Sequence, residues 1–312
     1  MTINSKDKRD VYYFMSKQNN YRARSIYKLK QIDEKYKIFQ SIKNVKHNVI
    51  DLCAAPGSWS QYLSELHGKS IDRIIAVDLQ DMVPIENVKI YKADITDSAF
   101  INEVSKYNVD VIICDGAPDV TGYSDIDLYA QIDLLKACLT IINKINLNIL
   151  IKNRLDMNKN SVTLVNTFVT KIFRNKFTKY VVRHFRKYFK DVFLTKPRAS
   201  RANSTECFMV CRGICKEKYM SIIKEEDSLY NKTTDNLLDN MENSDFIDKV
   251  MDILTETIDF TDDFEEIEVD ICGYGEPDPD YYVEEVVKGE NYKNSKPIDA
   301  PYNDVLKQKR NQ

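Results

Sequence analysis

Three aspartates stand at matching places in this 312-residue chain. Asp78 closes the run "RIIAVDL", Asp94 follows "VKIYK", and Asp115 ends "VDVIICD". Each run is rich in Val and Ile and reads as a strand. An earlier run, "NVIDLC" at 48–53, leads into the turn "DLCAAPGSWS", which holds Gly57 and the single tryptophan, Trp59. In an open parallel sheet, groups at the carboxyl ends of successive strands converge on one ligand. An acid after the second strand suits a ribose diol, because a carboxylate accepts from both hydroxyls. Asp94 or its adjoining backbone can read an adenine amino group, and Asp115 can accept from an ammonium.

The first turn decides between ligands. A dinucleotide loop wants Gly-x-Gly-x-x-Gly, so that bare backbone can touch a pyrophosphate. Here one glycine sits between a proline and an indole, which argues against a nicotinamide oxidoreductase. The turn suits a compact cationic nucleoside such as S-adenosylmethionine, with Gly57 close to it and Trp59 lining its methionine end.

These residues need a scaffold that brings strand ends together. Strand-like runs alternate with helix-like spacers at 58–67 and 124–144, the second opened by Ser124 and Asp127. The runs do not alternate polar and apolar, as expected of strands covered on both faces. The pattern predicts an α/β Rossmann-like fold: a seven-stranded, mostly parallel sheet, helices on both faces, and a terminal antiparallel hairpin. Its last strands are 166–173, "DVFLTK" and "ECFMVCRG". A helix over 20–39 places Ile26, Leu29, Ile32 and Tyr36 on one face and Arg22, Arg24, Lys28 and Lys30 on the other. Another helix covers 177–190. The Asn/Lys-rich stretch at about 147–163 reads as a low-complexity surface insert. Residues 1–216 form the main domain, 217–266 an acidic, partly mobile insert, and 267–312 an extension packing back on the core.

Net charge is only -3, but residues 1–47 carry twelve Lys/Arg against four acids, and 168–216 is as lopsided. That is the footprint of a nucleic-acid binder, although such runs often just solvate a surface. Seven cysteines without a Cys-x-x-Cys point to packed thiols in a reducing compartment, the cytoplasm. Cys207 and Cys211 read as strand residues, and three scattered histidines give no metal-ligand spacing. No stretch reads as a membrane span, and the polar start "MTINSKDKRD" lacks a signal-peptide core.

The ordered segments "YRARSIYKLKQIDEKYKIF", "VIDLCAAPGSWSQYLS", "AVDLQDMVPI", "ICDGAPDVTG", "TKIFR", "KPRASRANSTECFMVC" and "PIDAPY" resemble the FtsJ/RrmJ-type RNA 2′-O-methyltransferases. Within that family they are most similar to the eukaryotic branch acting on the tRNA anticodon loop, at nucleotides 32 and/or 34. The resemblance implies a Lys-Asp-Lys-Glu catalytic set at Lys28, Asp115, Lys171 and Glu206. It also implies S-adenosylmethionine contacts at Gly57, Trp59, Asp78, Asp94 and Asp115, and no metal. The 147–163 stretch departs from it, since the family has a short glycine turn there.

A lysine accepts a proton only when neutral, which needs burial or a neighbouring cation. Lys28 beside Lys171 would supply that cation, making Lys171 the general base, while Asp115 and Glu206 aim the two side chains. Arg22, Arg24, Lys30, Arg174, Lys176, Arg198 and Arg201 would grip the RNA backbone, and Tyr21 or Tyr27 could stack on a base unless they are core. The family branch implies an auxiliary helical-repeat or WD-repeat partner. The alternatives are a ribosomal-RNA or mRNA-cap methyltransferase, or an RNA-binding scaffold without activity. Nothing here supplies a cap enzyme's guanine-stacking pocket, and a scaffold would not need Lys171 with Glu206.

Overall fold

The computed structural model describes residues 10–40, 45–117, 124–152, 164–175, 177–201, 204–230, 248–252 and 269–272. Among them, eight strands form one sheet. They are β1 (His47–Leu52), β2 (Ile71–Asp78), β3 (Val88–Lys92), β4 (Val111–Cys114), β5 (Thr167–Phe173), β6 (Phe189–Pro197), β7 (Glu206–Ile214) and β8 (Val269–Cys272). Their spatial order is β3-β2-β1-β4-β5-β7-β6-β8. The first five pair in parallel; β7 is antiparallel to both β5 and β6. All seven expected strands are present, and β8 adds an eighth, parallel to β6. Strand order reverses between β1 and β4, which is where such a sheet opens a crevice at its carboxyl edge.

Helices α1 (Val11–Gln18), α2 (Ile26–Tyr36), α3 (Ser58–Leu66), α4 (Ser98–Val104), α5 (Ser124–Lys152), α6 (Thr178–Arg186) and α7 (Lys216–Tyr230) complete the described elements. One face of the sheet carries α2 and α3, with Leu29, Ile32, Trp59 and Leu63 on Val111, Ile113, Val169, Phe208 and Val210. The other face packs Phe100, Ile132, Leu135, Val181, Phe185 and Tyr219 from α4 to α7. Burying side chains of this kind stabilises by about 1.5–3 kcal/mol each. The period of two then places chemistry. Val111 and Ile113 lead to Asp115, Val169 leads to Lys171, and Phe208 follows Glu206, so all three polar groups point to the α2 side. A slip of one residue would send any of them to the opposite face.

Several expectations need correction. The helix from Ser124 does not stop at 144 but runs to Lys152, so the supposed insert starts later. Leu147, Ile149 and Leu150 are buried, and their apolar packing outweighs the polar residues interspersed among them. Residues 153–163 lie outside the described residues. Tyr129–Ile151 is, by length and composition, apolar enough to cross a membrane, contrary to the sequence reading, yet 67% of its apolar 18-residue window is buried inside the protein. A helix apolar all round is what a core position demands. The 217–266 stretch begins as helix α7, anchored by buried Tyr219, whose hydroxyl donates to Asn143 at 2.5 Å. Of the C-terminal extension, the residues beyond Cys272 lie outside the described residues. Helix α1 was not anticipated; Asp10 caps it, accepting from the Tyr13 amide at 2.9 Å.

Candidate active site

A cleft of about 550 Å³ opens at the carboxyl ends of β1 to β4. Its walls include Cys53, Ala55, Asp78, Asp94, Asp115 and, from α5, Asp133. The three sequence-predicted acids therefore face one space, whose size is that of a small-molecule site. Asp78 is anchored by backbone: its Oδ2 accepts from Ala55 N at 2.9 Å and its Oδ1 from Gln80 N at 2.8 Å. Asp94 Oδ1 accepts from Thr96 N and Thr96 Oγ1 at 2.8 and 2.7 Å, bonds that hold its carboxyl below the usual range. Helix α4 takes its cap from Asp97 instead, so capping does not account for Asp94.

At the edge of this cleft stand two ion pairs. The Lys171 Nζ lies 3.1 Å from Asp115 Oδ1 and donates to the Asp115 carbonyl at 2.5 Å. The Lys28 ammonium reaches both oxygens of Glu206 at 2.7 Å. Pairing of β5 with β7 sets Lys171 against Phe208 and Phe173 against Glu206, so Lys171 and Glu206 are diagonal neighbours on one face. The pairs also feel each other. Burial raises Asp115, while Lys171 and then Lys28 oppose that rise and Glu206 adds to it. Burial likewise pushes Glu206 up, but Lys28, Ser200 and Lys171 outweigh it and leave the carboxyl below its ordinary value. Lys28, Asp115, Lys171 and Glu206 thus form one electrostatic cluster.

Gly57 and Trp59 do not line the cleft as expected. Trp59 is 2% exposed. Its indole N–H donates to Ser25 O at 2.9 Å, and its ring lies 5.8 Å from that of Phe208. Burial of so large an apolar ring prevails over a place at the ligand. The indole instead pins the start of α2, and through it Lys28, whose Nζ sits 5.8 Å above the same Phe208 ring. Gly57 caps α3 with φ +101°, and a Cβ there would meet Arg22 Nη1 at 2.7 Å and Ile85 Cδ1 at 2.8 Å. Its glycine is required by backbone conformation and by those neighbours.

Three of the basic residues assigned to RNA are occupied within the fold. Arg22 donates to Pro56 O at 2.9 Å and Pro84 O at 3.0 Å, stapling the two loops beside the cleft. Arg24 pairs with Asp10 and donates to Ala199 O. Lys30 donates to Tyr21 Oη at 2.7 Å and to Glu65 Oε2 at 3.2 Å. Carbonyls and carboxylates near in space but distant in sequence captured these side chains. Tyr27 is buried and accepts from Asn19 at 2.9 Å, which makes it core, and Tyr21 donates to Glu65 at 2.5 Å. Arg174 and Arg201 are exposed, although Arg201 Nε also lies 3.9 Å from Asp10 Oδ2; Arg198 is half-buried, and Lys176 lies outside the described residues.

Two residues were missed. Asp51 is 1% exposed and accepts from Ser60 at 2.6 Å; burial, against that bond, pushes it up to about 8. An acid two places after Val49 in a buried strand was the available signal. Ser200 donates to Glu206 Oε1 at 2.7 Å, and no spacing rule marks it.

A family model described as FtsJ-like methyltransferase matches residues 21–214. The chain is 41% identical over 214 residues to a tRNA (cytidine(32)/guanosine(34)-2′-O)-methyltransferase of Mus musculus, covering 67% of this chain and 60% of that protein. It is 39% identical over 224 residues to the protein of the same name from Schizosaccharomyces pombe, covering 68% and 72% respectively. With the ribosomal RNA large subunit methyltransferase E of Pelagibacter ubique it shares 37% identity over 211 residues, 67% of this chain and 93% of that one. The matched stretch spans about three fifths of the length of the animal relatives.

Proposed function

We propose, because the chain belongs to the FtsJ-like methyltransferase family, that it methylates the ribose 2′-hydroxyl of RNA. Its substrates are tRNA anticodon-loop nucleotides 32 and/or 34, and its methyl donor is S-adenosylmethionine. The observation that carries this reading is the double role of Asp115, which lines the cleft and pairs with Lys171. A donor in the cleft and a hydroxyl at the lysines would meet at that residue.

The residues present fit such a donor. Asp78 suits a ribose diol, Asp94 and its loop an adenine edge, and Asp115 a cationic end. When bound, S-adenosylmethionine supplies an electrophilic methyl group on a sulfonium. Lys171, in its neutral amine form, takes the proton of the attacking 2′-hydroxyl; a positioned base of this kind contributes about 10²–10⁴-fold. Asp115 fixes the direction of the Lys171 amine. Glu206 holds Lys28 within the cluster and keeps its charge local. Much of the acceleration then comes from holding hydroxyl, base and methyl donor together.

Arg174 and Arg201 extend the cluster outward and contact RNA phosphates. A cytoplasmic place, read from the cysteine usage, and an auxiliary helical-repeat or WD-repeat partner, read from the family likeness, complete the proposal. The test is to map 2′-O-methyl marks on RNA from cells with and without this protein, and on unmodified tRNA incubated with it and labelled S-adenosylmethionine. Loss and gain of marks at positions 32 or 34 are expected. Marks on ribosomal RNA alone would replace the tRNA assignment, and no transfer to any RNA would end it.

A further inference from the structure

We propose that Ser200 is a positioning residue for Glu206, held in place by Gln31 of α2 and by Arg24 just before that helix, which together clamp the backbone before it. The inference rests on the methyltransferase reading for its kinetic consequence, though its geometry stands apart from it. Ser200 is 5% exposed and donates to Glu206 Oε1 at 2.7 Å. Lys28 approaches both carboxylate oxygens equally, so it alone does not select one orientation of the Glu206 head. A hydroxyl fixed to one oxygen does. Oε1 then carries Ser200 and Lys28, while Oε2 carries Lys28 and has a lone pair to spare among the described residues.

The fixity of Ser200 is built from α2 and from Arg24 just before it. The fully buried Ala199 donates its N–H to Gln31 Oε1 at 2.9 Å, and its carbonyl accepts from Arg24, itself paired with Asp10. The Ser200 amide donates to Pro197 O at 2.8 Å. Helix α2 thus grips the 197–200 segment at one residue, that segment grips Glu206 at the next, and Glu206 returns to Lys28 of α2. The ring is closed. Arg24, expected on the RNA, belongs to it.

Charged or titratable groups facing Glu206 are Lys28 from α2, Lys171 from β5, Asp115 after β4 and Cys207 beside it on β7. Ser200 is the neutral donor among them, and its bond favours the ionised carboxylate. Removing that donor raises the Glu206 carboxyl.

The experiment compares wild type with Ser200→Ala and Ser200→Thr as full chains, on tRNA with S-adenosylmethionine. Ser200→Ala should lower kcat by about tenfold or more, as expected for losing a bond to a charged group. KM for tRNA and cofactor affinity should change little. Ser200→Thr, which keeps the hydroxyl, should restore kcat. An unchanged kcat in Ser200→Ala, or a threonine variant as impaired as the alanine one, would overturn the proposal. A second measurement is independent of turnover: the Glu206 carboxyl followed by ¹³C NMR should titrate higher in Ser200→Ala, and an unmoved titration would also refute it. Wild type that transfers no methyl while this titration still moves would sink the functional reading and leave the positioning intact.

Discussion

Lys28 and Glu206 lie 178 positions apart in the chain and meet at 2.7 Å, with their side chains 14% and 12% exposed. Taking one partner away leaves the other charge with poor solvation, which costs about 3–5 kcal/mol for a well-buried pair. Lys28→Met should therefore lower stability by about 3 kcal/mol. The double variant Lys28→Met/Glu206→Met should recover most of that while remaining unable to transfer methyl. Chemical denaturation with parallel turnover assays checks both. A double variant as unstable as the single one would mean that the pair matters for packing and not for charge.

Lys171→Ala separates chemistry from ligand binding. Turnover should fall by at least about 100-fold, while calorimetry finds the cofactor bound as in wild type. Retained turnover would remove Lys171 from the role of base.

Trp59→Phe keeps a ring against Phe208 but loses the bond to Ser25 O. Because the indole pins α2 and not the cleft, cofactor affinity should hold while kcat declines about tenfold, a hydrogen bond's worth. A loss of cofactor affinity with kcat unchanged would return Trp59 to the ligand.

The two exposed arginines and the half-buried staple Arg22 should part in salt titrations. Arg174→Ala/Arg201→Ala should lower RNA affinity and reduce the log–log salt slope by about 1.5. Arg22→Ala should leave that slope alone and reduce cofactor affinity and melting temperature, since it frees the loops at Pro56 and Pro84. The opposite pattern would reverse the assignments.

Asp51 gives the fold a pH signature. Its folded pKa, about 8, lies above its ordinary value of 3.8, so the folded chain holds this proton more tightly than the unfolded one. The associated stability is fully present below the ordinary value and is lost as pH rises through about 8. Melting temperature in Asp51→Asn should accordingly fall less over that window than in wild type. Parallel curves for the two proteins would show that another group controls it.

Much of this arrangement was readable from residue order. The Val/Ile-rich runs announced seven strands, and the acids ending them marked the cleft, because both signals are local. Lys28, Lys171 and Glu206 came from resemblance; alone, each is an ordinary charge on a helix or strand. What escaped were relations set by tertiary contact. Arg22 and Arg24 looked like solvent-facing cations because the carbonyls of Pro56, Pro84 and Ala199 are invisible as partners until the chain folds. The length of α5 was hidden by the asparagines and lysines scattered among Leu147, Ile149 and Leu150. Helix α1 carried a signal in Asp10 that was not taken up, since its apolar periodicity is weak.

The wedge of β7 between β5 and β6 has a consequence for the order in which the protein comes into being. Chains are made and folded from the amino end. A ribosome therefore delivers β1 to β4, with the three cleft-lining aspartates, well before the strand that starts with Glu206. Until that late strand inserts between two strands made before it, Lys28 lacks its Glu206 partner and the charge cluster is unfinished. The four-residue cluster is therefore completed as one of the last acts of the chain's maturation.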